Sequence, residues 1–92
     1  MDEAKHVVKR YLSRLGIIAR QKGWTKEEKK EAKRVLLYIL NLFEVQKNAP
    51  PLILLASYRD RLLPAIGRVT TFSTYWRVAK EIVDDVEKTL IK

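Results

Sequence analysis

From Ala32 to Val45 the chain is apolar at almost every helical position. Ala32, Val35, Leu36, Ile39, Leu42 and Phe43 recur at spacings of three and four, and Leu37, Leu40 and Val45 fill most of the remaining sides. A helix apolar on nearly every side needs neighbours around it, so this segment is expected at the centre of a helical bundle. Its start is marked by Thr25-Lys26-Glu27-Glu28, a capping box in which Thr25 is the N-cap and Glu28 follows three residues later. Its end is expected near Lys47, ahead of Pro50 and Pro51.

The other segments carry the same period. Ala4, Val7, Val8, Tyr11, Leu12, Leu15, Ile18 and Ala19 form one stripe, with Asp2 as a cap and Gly23 suited to a left-handed C-terminal position. Gly16 lies within this predicted helix, where it costs about 1 kcal/mol relative to Ala, and it is placed for a close helix crossing. Pro51 fits the first position of a short third helix that stops before Pro64. After a loop through Gly67, Phe72, Tyr75, Trp76, Ala79, Ile82, Val83, Val86 and Leu90 give the cleanest period in the chain. Nowhere do apolar and polar residues alternate long enough for a strand. The expectation is an all-α protein, a compact bundle of four helices near 2–21, 26–47, 51–62 and 71–91. Residues 1–92 form one domain, with Leu15, Leu36, Ile39, Phe43, Trp76, Val83 and Val86 in its core.

Composition narrows the classes of function. There is no Cys, so disulfides, thiolate metal sites and a Cys nucleophile are excluded. The longest apolar run, Val35 to Leu40, is far short of the ~20 residues that span a bilayer. The acidic start Met1-Asp2-Glu3-Ala4 lacks a signal core, and a cytoplasmic protein is expected. Two Asn, two Gln and one Met among many Lys and Glu match the composition of hyperthermophilic proteins. Catalysis needs a convergent group of reactive residues, and His6 is the lone His, on a polar helix face. Glu81 and Asp85 share a face but have no His beside them, and no phosphate-binding Gly loop is present. No enzyme activity, cofactor, metal or small-molecule substrate is expected.

The charge is +8 and unevenly spread. Residues 5–34 hold eleven Lys or Arg against three Glu, whereas residues 81–92 hold four acidic and two basic side chains. Lys26, Lys30, Lys33 and Arg34 share one face of the second predicted helix, and the same ridge leads to Leu37 and Asn41. Like charges at these spacings each cost about 0.2–0.5 kcal/mol of helix stability, so the ridge reads as a contact surface, or as a solvated face offset by Glu27 and Glu31. A second basic set is Arg59, Arg61, Arg68 and Arg77, near Tyr58, Tyr75 and Trp76 in sequence. Arg with aromatic residues can grip single-stranded nucleic acid, although Tyr75 and Trp76 also fall on the apolar stripe. A helix-turn-helix, with Thr70, Thr71, Ser73, Thr74 and Arg77 facing DNA, is a further reading, one that Pro64 and the long loop fit poorly.

Taken with the four predicted helices, the Lys-rich segment 26–34, the apolar stretch 35–45 and the Tyr75-Trp76-Arg77 helix resemble a known kind of protein. The chain looks like the small, basic, all-helical accessory subunit of the crenarchaeal replicative B-family DNA polymerase. That subunit is the polymerase's second binding partner in a heterotrimeric holoenzyme. The resemblance implies a non-catalytic protein that docks on the polymerase catalytic subunit and supports DNA synthesis. It carries over no residue-level role. Two other readings stay open: an independent DNA-binding protein, such as a regulator or chromatin protein, and an interaction protein whose charge serves an acidic partner.

Overall fold

The computed structural model describes residues 2–62, 64 and 73–91. Among them are five α-helices: α1 (Asp2–Ser13), α2 (Leu15–Lys22), α3 (Lys26–Val45), α4 (Pro51–Ser57) and α5 (Ser73–Ile91). A π-helical turn, Tyr58–Leu62, continues α4. No strand occurs among the described residues. The radius of gyration, 12.6 Å, matches the ~12 Å expected of a globular body of this length.

Three local signals act where the sequence puts them, whereas Asp2, expected as the cap ahead of the first helix, is the first residue of α1 itself. At the start of α3, the Glu28 amide donates to Thr25 Oγ1 at 3.1 Å and the Thr25 amide donates to Glu28 Oε1 at 2.8 Å, which satisfies two amides the helix leaves unpaired. At the end of α2, Gly23 adopts φ 70°, the left-handed conformation expected of it. The Trp24 amide then returns to the Ala19 carbonyl at 2.9 Å and the Gly23 amide to Arg20 at 3.3 Å, a Schellman closure. Pro51 opens α4 at its first turn.

The first predicted helix is two helices. At Arg14 the backbone leaves helical geometry (φ −103°, ψ 12°), and the Arg14 amide is shared between the carbonyls of Arg10 and Tyr11. The Ser13 hydroxyl donates to Arg10 O at 2.9 Å, a local bond that competes with the helical ladder. This break gives five helices where four were predicted. The close crossing expected at Gly16 is absent too. A methyl group there would meet nothing nearer than the Lys29 amine, at 3.8 Å.

α3 packs against α1, α2, α4 and α5 and is the central helix, as its apolar character required. Val35, Leu36, Ile39 and Phe43 are fully buried against Val8, Leu55, Tyr58, Val78, Ile82, Val83 and Val86. Each such side chain contributes about 1.5–3 kcal/mol, which makes this cluster the main source of stability. The enclosure is incomplete, however: Leu37 and Val45 are exposed, so α3 keeps one outer face. Of the predicted core, Leu15, Leu36, Ile39, Phe43, Val83 and Val86 are buried, but Trp76 is 38% exposed. Val78 is buried on α5, and the Lys80 ammonium lies 4.8 Å from the Trp76 ring centre. The buried stripe of α5 is therefore turned toward Val78, and Trp76 falls at its edge.

Polar side chains of α5 staple it to the rest. Glu81 accepts from Trp24 Nε1 at 3.0 Å, and Asp85 accepts from the Tyr11 hydroxyl at 2.7 Å while pairing with Lys22 at 3.0 Å. Arg77 forms an ion pair with Glu28, whose other oxygen caps α3. Burial and the bond to Tyr75 push the Tyr58 phenol above its ordinary range, and burial and Asp85 do the same to Tyr11.

Three outcomes follow, each read by denaturation. Gly16→Ala is expected to stabilise the protein by about 0.4–1 kcal/mol, since the backbone is helical and the space is open. Thr25→Ala should cost about 1 kcal/mol, and Glu28→Ala about 1–2 kcal/mol, because it loses the capping bond and also the ion pair to the largely exposed Arg77. Equal losses for the two would show that the Arg77 pair contributes nothing. The raised tyrosines make stability complete below pH about 10 and declining above it, as the unfolded phenols ionise while the folded ones hold their protons. Tyr58→Phe should make that alkaline decline in melting temperature shallower, and an unchanged decline would contradict the linkage.

Candidate functional site

The predicted basic ridge lies on the outward half of α3. Lys26, Lys30, Lys33 and Arg34 are all exposed, and Leu37 beside them is 48% exposed. The burial of Val35, Leu36, Ile39 and Phe43 on the other side forces this orientation. Lys26, Lys30 and Lys33, with Lys29 and the acidic Glu27, line a depression of about 420 Å³ against Leu15 of α2. A neighbouring depression of about 330 Å³ shares Lys26 and Lys29 and adds Arg20 and Trp24 along the α2 side. Together they form a trough between α2 and the first turns of α3, with small or apolar residues such as Leu15, Gly16 and Ala19 on the α2 side.

Lys29 and Arg20 were not singled out from sequence. Lys29 lies three residues after Lys26 and four before Lys33, so helical spacing alone could have added it. Arg20 belongs to another helix and reaches the trough only through the packing of α2 on α3.

The basic residues divide by whether they have an internal partner. Arg34 pairs with Glu31 one turn back, at 3.3 Å. Lys5 pairs with Glu44 at 2.7 Å, and that exposed carboxylate is held below its usual range by the Lys5 hydrogen bond. Lys22 is held by Asp85. Lys26, Lys29, Lys30 and Lys33 have no ion pair among the described residues, and the same holds for Lys9, Arg10, Arg14, Arg20, Lys47, Arg61, Lys80 and Lys88; the four on α3 are distinguished by standing within eight residues of one helix. They also occupy the N-terminal half of a 20-residue helix, toward the end where the helix dipole is positive. Glu27 in the first turn offsets part of this, and the carboxylate of Glu28 is turned inward and buried. Neither pairing nor helix electrostatics favours four lysines here, and an anion brought to the trough would meet all of them.

The second basic set is not brought together as a free surface. Arg59 is half-buried and bound by Asp60, at 3.2 Å, and by Glu87; the hydrogen bond to Asp60 raises its already high pKa. Arg77 is held by Glu28. Arg61 is exposed on the π-helical turn, and Arg68 lies outside the described residues, as do Thr70 and Thr71 of the helix-turn-helix reading. Tyr58, which stood beside this set in sequence, is buried in the core with its hydroxyl 3.0 Å from that of Tyr75. It cannot stack on a base. His6 is exposed, and Glu81 and Asp85 are committed to the staples of α5. No described helix is long and apolar enough to cross a membrane.

Comparison with protein-family models, with curated proteins and with solved structures gives no match to this chain, which leaves the placement of its charged and apolar side chains as the guide to function.

Proposed function

We propose that this protein is a non-catalytic accessory subunit of a replicative B-family DNA polymerase, binding the catalytic subunit and supporting DNA synthesis through its basic surface. The observation that carries this reading is the row of four lysines, Lys26, Lys29, Lys30 and Lys33, exposed on one helix and without ion pairs among the described residues. Lys9, Arg10, Arg14 and Arg61 are exposed as well, but the trough is where four such cations stand within eight residues of one helix, which makes it a dense local source of positive charge. Such a field steers association with phosphates and with acidic protein surfaces. The polymerase assignment itself comes from the resemblance in size, charge and helical make-up. An independent DNA-binding protein is the second reading, favoured by the same lysines, because phosphate contacts require no protein partner.

Co-elution of the purified protein with a crenarchaeal B-family polymerase catalytic subunit tests the first reading, and stimulation of primer extension is its functional readout. Tight salt-dependent binding to duplex DNA without co-elution would favour the second. Each phosphate contact contributes a slope of about −0.9 in log affinity against log salt. Lys30→Ala/Lys33→Ala should therefore flatten the slope for DNA by about two units if those lysines touch phosphates. Folding stability should hold or rise by a few tenths of a kcal/mol, since like-charge neighbours are removed. If the double variant keeps wild-type binding to both DNA and the catalytic subunit, the lysine row has no part in function.

A further inference from the structure

The lysine row does not end in a solvated polar face. Along the outward side of α3, Lys30 is followed at helical spacings by Arg34, Leu37 and Asn41, with Tyr38 and Val45 flanking the far end. Leu37, Tyr38 and Val45 are exposed at 48%, 39% and 69%. One helix face thus has a cationic half and a half in which Leu37, Tyr38 and Val45 surround the polar Asn41 and Glu44, the latter neutralised by Lys5, running about 22 Å from Lys30 to Val45 at 1.5 Å per residue.

We infer that this face of α3 is a docking site for an acidic, amphipathic helix of a partner protein. Its leucine-like residues would cover Leu37, Tyr38 and Val45, and its carboxylates would meet Lys30 and Lys33. Charge complementarity selects this occupant. A second copy of the chain offers little to match the lysines, because Glu28, Glu31, Glu44, Asp85 and Glu87 are already held by cations of their own molecule and the exposed Glu3, Glu27 and Asp84 stand apart on three different helices. Two copies would instead bring like charge together. A nucleic-acid backbone satisfies the lysines but leaves Leu37, Tyr38 and Val45 uncovered, since phosphates bury no apolar area. A helix laid along α3 satisfies both halves, with side chains at i, i+3, i+4 and i+7 as the anchors. The inference rests on reading the chain as a binding subunit and adds the chemistry that its partner presents.

The test is a titration of the full-length protein with a synthetic helical peptide of about 15 residues, enough to span the ~22 Å face, carrying Leu at helical spacing and Glu beside it. The same peptide with Glu replaced by Lys, the same peptide with Leu replaced by Ser, and a short DNA duplex are run alongside. Binding is expected for the acidic amphipathic peptide, no binding for the Lys version, and about tenfold or weaker affinity for the Ser version. Leu37→Asp should weaken the acidic peptide by about tenfold or more, because a carboxylate would be buried against apolar side chains, while duplex affinity changes little. Leu37→Ser, which adds no charge, provides the same comparison should the Asp variant lose its helical circular dichroism. No binding of the acidic amphipathic peptide overturns the inference. So does equal binding of its Ser version, or insensitivity to both Leu37 variants, since the lysines would then be collecting polyanions only. The polymerase reading fails separately, by absence of co-elution, and peptide binding with no co-elution keeps this docking face while removing that partner.

Discussion

The carboxylate of Glu28 is buried between α3 and α5, and both of its oxygens are committed. One accepts the Thr25 amide and closes the first turn of α3, while the other faces the Arg77 guanidinium of α5. The first bond fixes where α3 begins, and the second fixes which side of that beginning is turned toward α5. With the rotation of α3 set at its N-terminus and locked by Val35, Leu36, Ile39 and Phe43 further along, the opposite side of the helix must face outward. That side carries Lys26, Lys30, Lys33, Arg34 and Leu37. The capping bond is worth about 1 kcal/mol, against some 1.5–3 kcal/mol for each buried core side chain, so packing supplies the stability and Glu28 supplies the register.

The same economy of charge explains the surface. Carboxylates on α5 and at the end of α3 are drawn into contacts between elements: Glu81 with Trp24, Asp85 with Tyr11 and Lys22, Glu87 with Arg59, Glu44 with Lys5. A chain of net charge +8 that ties these carboxylates into internal contacts leaves its excess positive charge in the open. Part of it stands on α1, as the exposed Lys9 and Arg10, and its densest group is the four lysines within eight residues near the positive end of the α3 dipole. Folding gains nothing from that placement, and each pair of like charges costs a few tenths of a kcal/mol. The exposed Leu37, Tyr38 and Val45 continue the same face, so the least explained polar and apolar features of the surface adjoin each other.

Features set by a few neighbouring residues were legible in the sequence. The Thr25–Glu28 box, the left-handed Gly23 and the opening Pro51 all act through bonds that span five residues or fewer, and each occurs where its pattern stands. The period of α3 and α5 likewise gave five of the seven named core residues, Leu36, Ile39, Phe43, Val83 and Val86, and the stripe of the first predicted helix gave Leu15. Trp76 failed because a stripe drawn at 100° per residue does not say which edge its neighbours will cover, and Val78 is covered instead. The break at Arg14 was hidden because Ser13 and Gly16 are tolerated in a helix, and nothing local announces that the amide of Arg14 will be shared between two carbonyls. The ridge of α3 was legible because it is local to one helix. The internal partners of Arg59 and Arg77 were not, since Glu87 and Glu28 meet them only through the tertiary fold.

The central claim is that the outward face of α3 is where this protein meets its partner. Amide resonances of the isotope-labelled protein, followed during substoichiometric addition of the polymerase catalytic subunit, test it most directly. The account requires signal loss centred on residues 26–41, with the buried side of α1 and the acidic side of α5 largely unchanged. Signal loss centred on α5 or α1, with residues 26–41 unaffected, would contradict it.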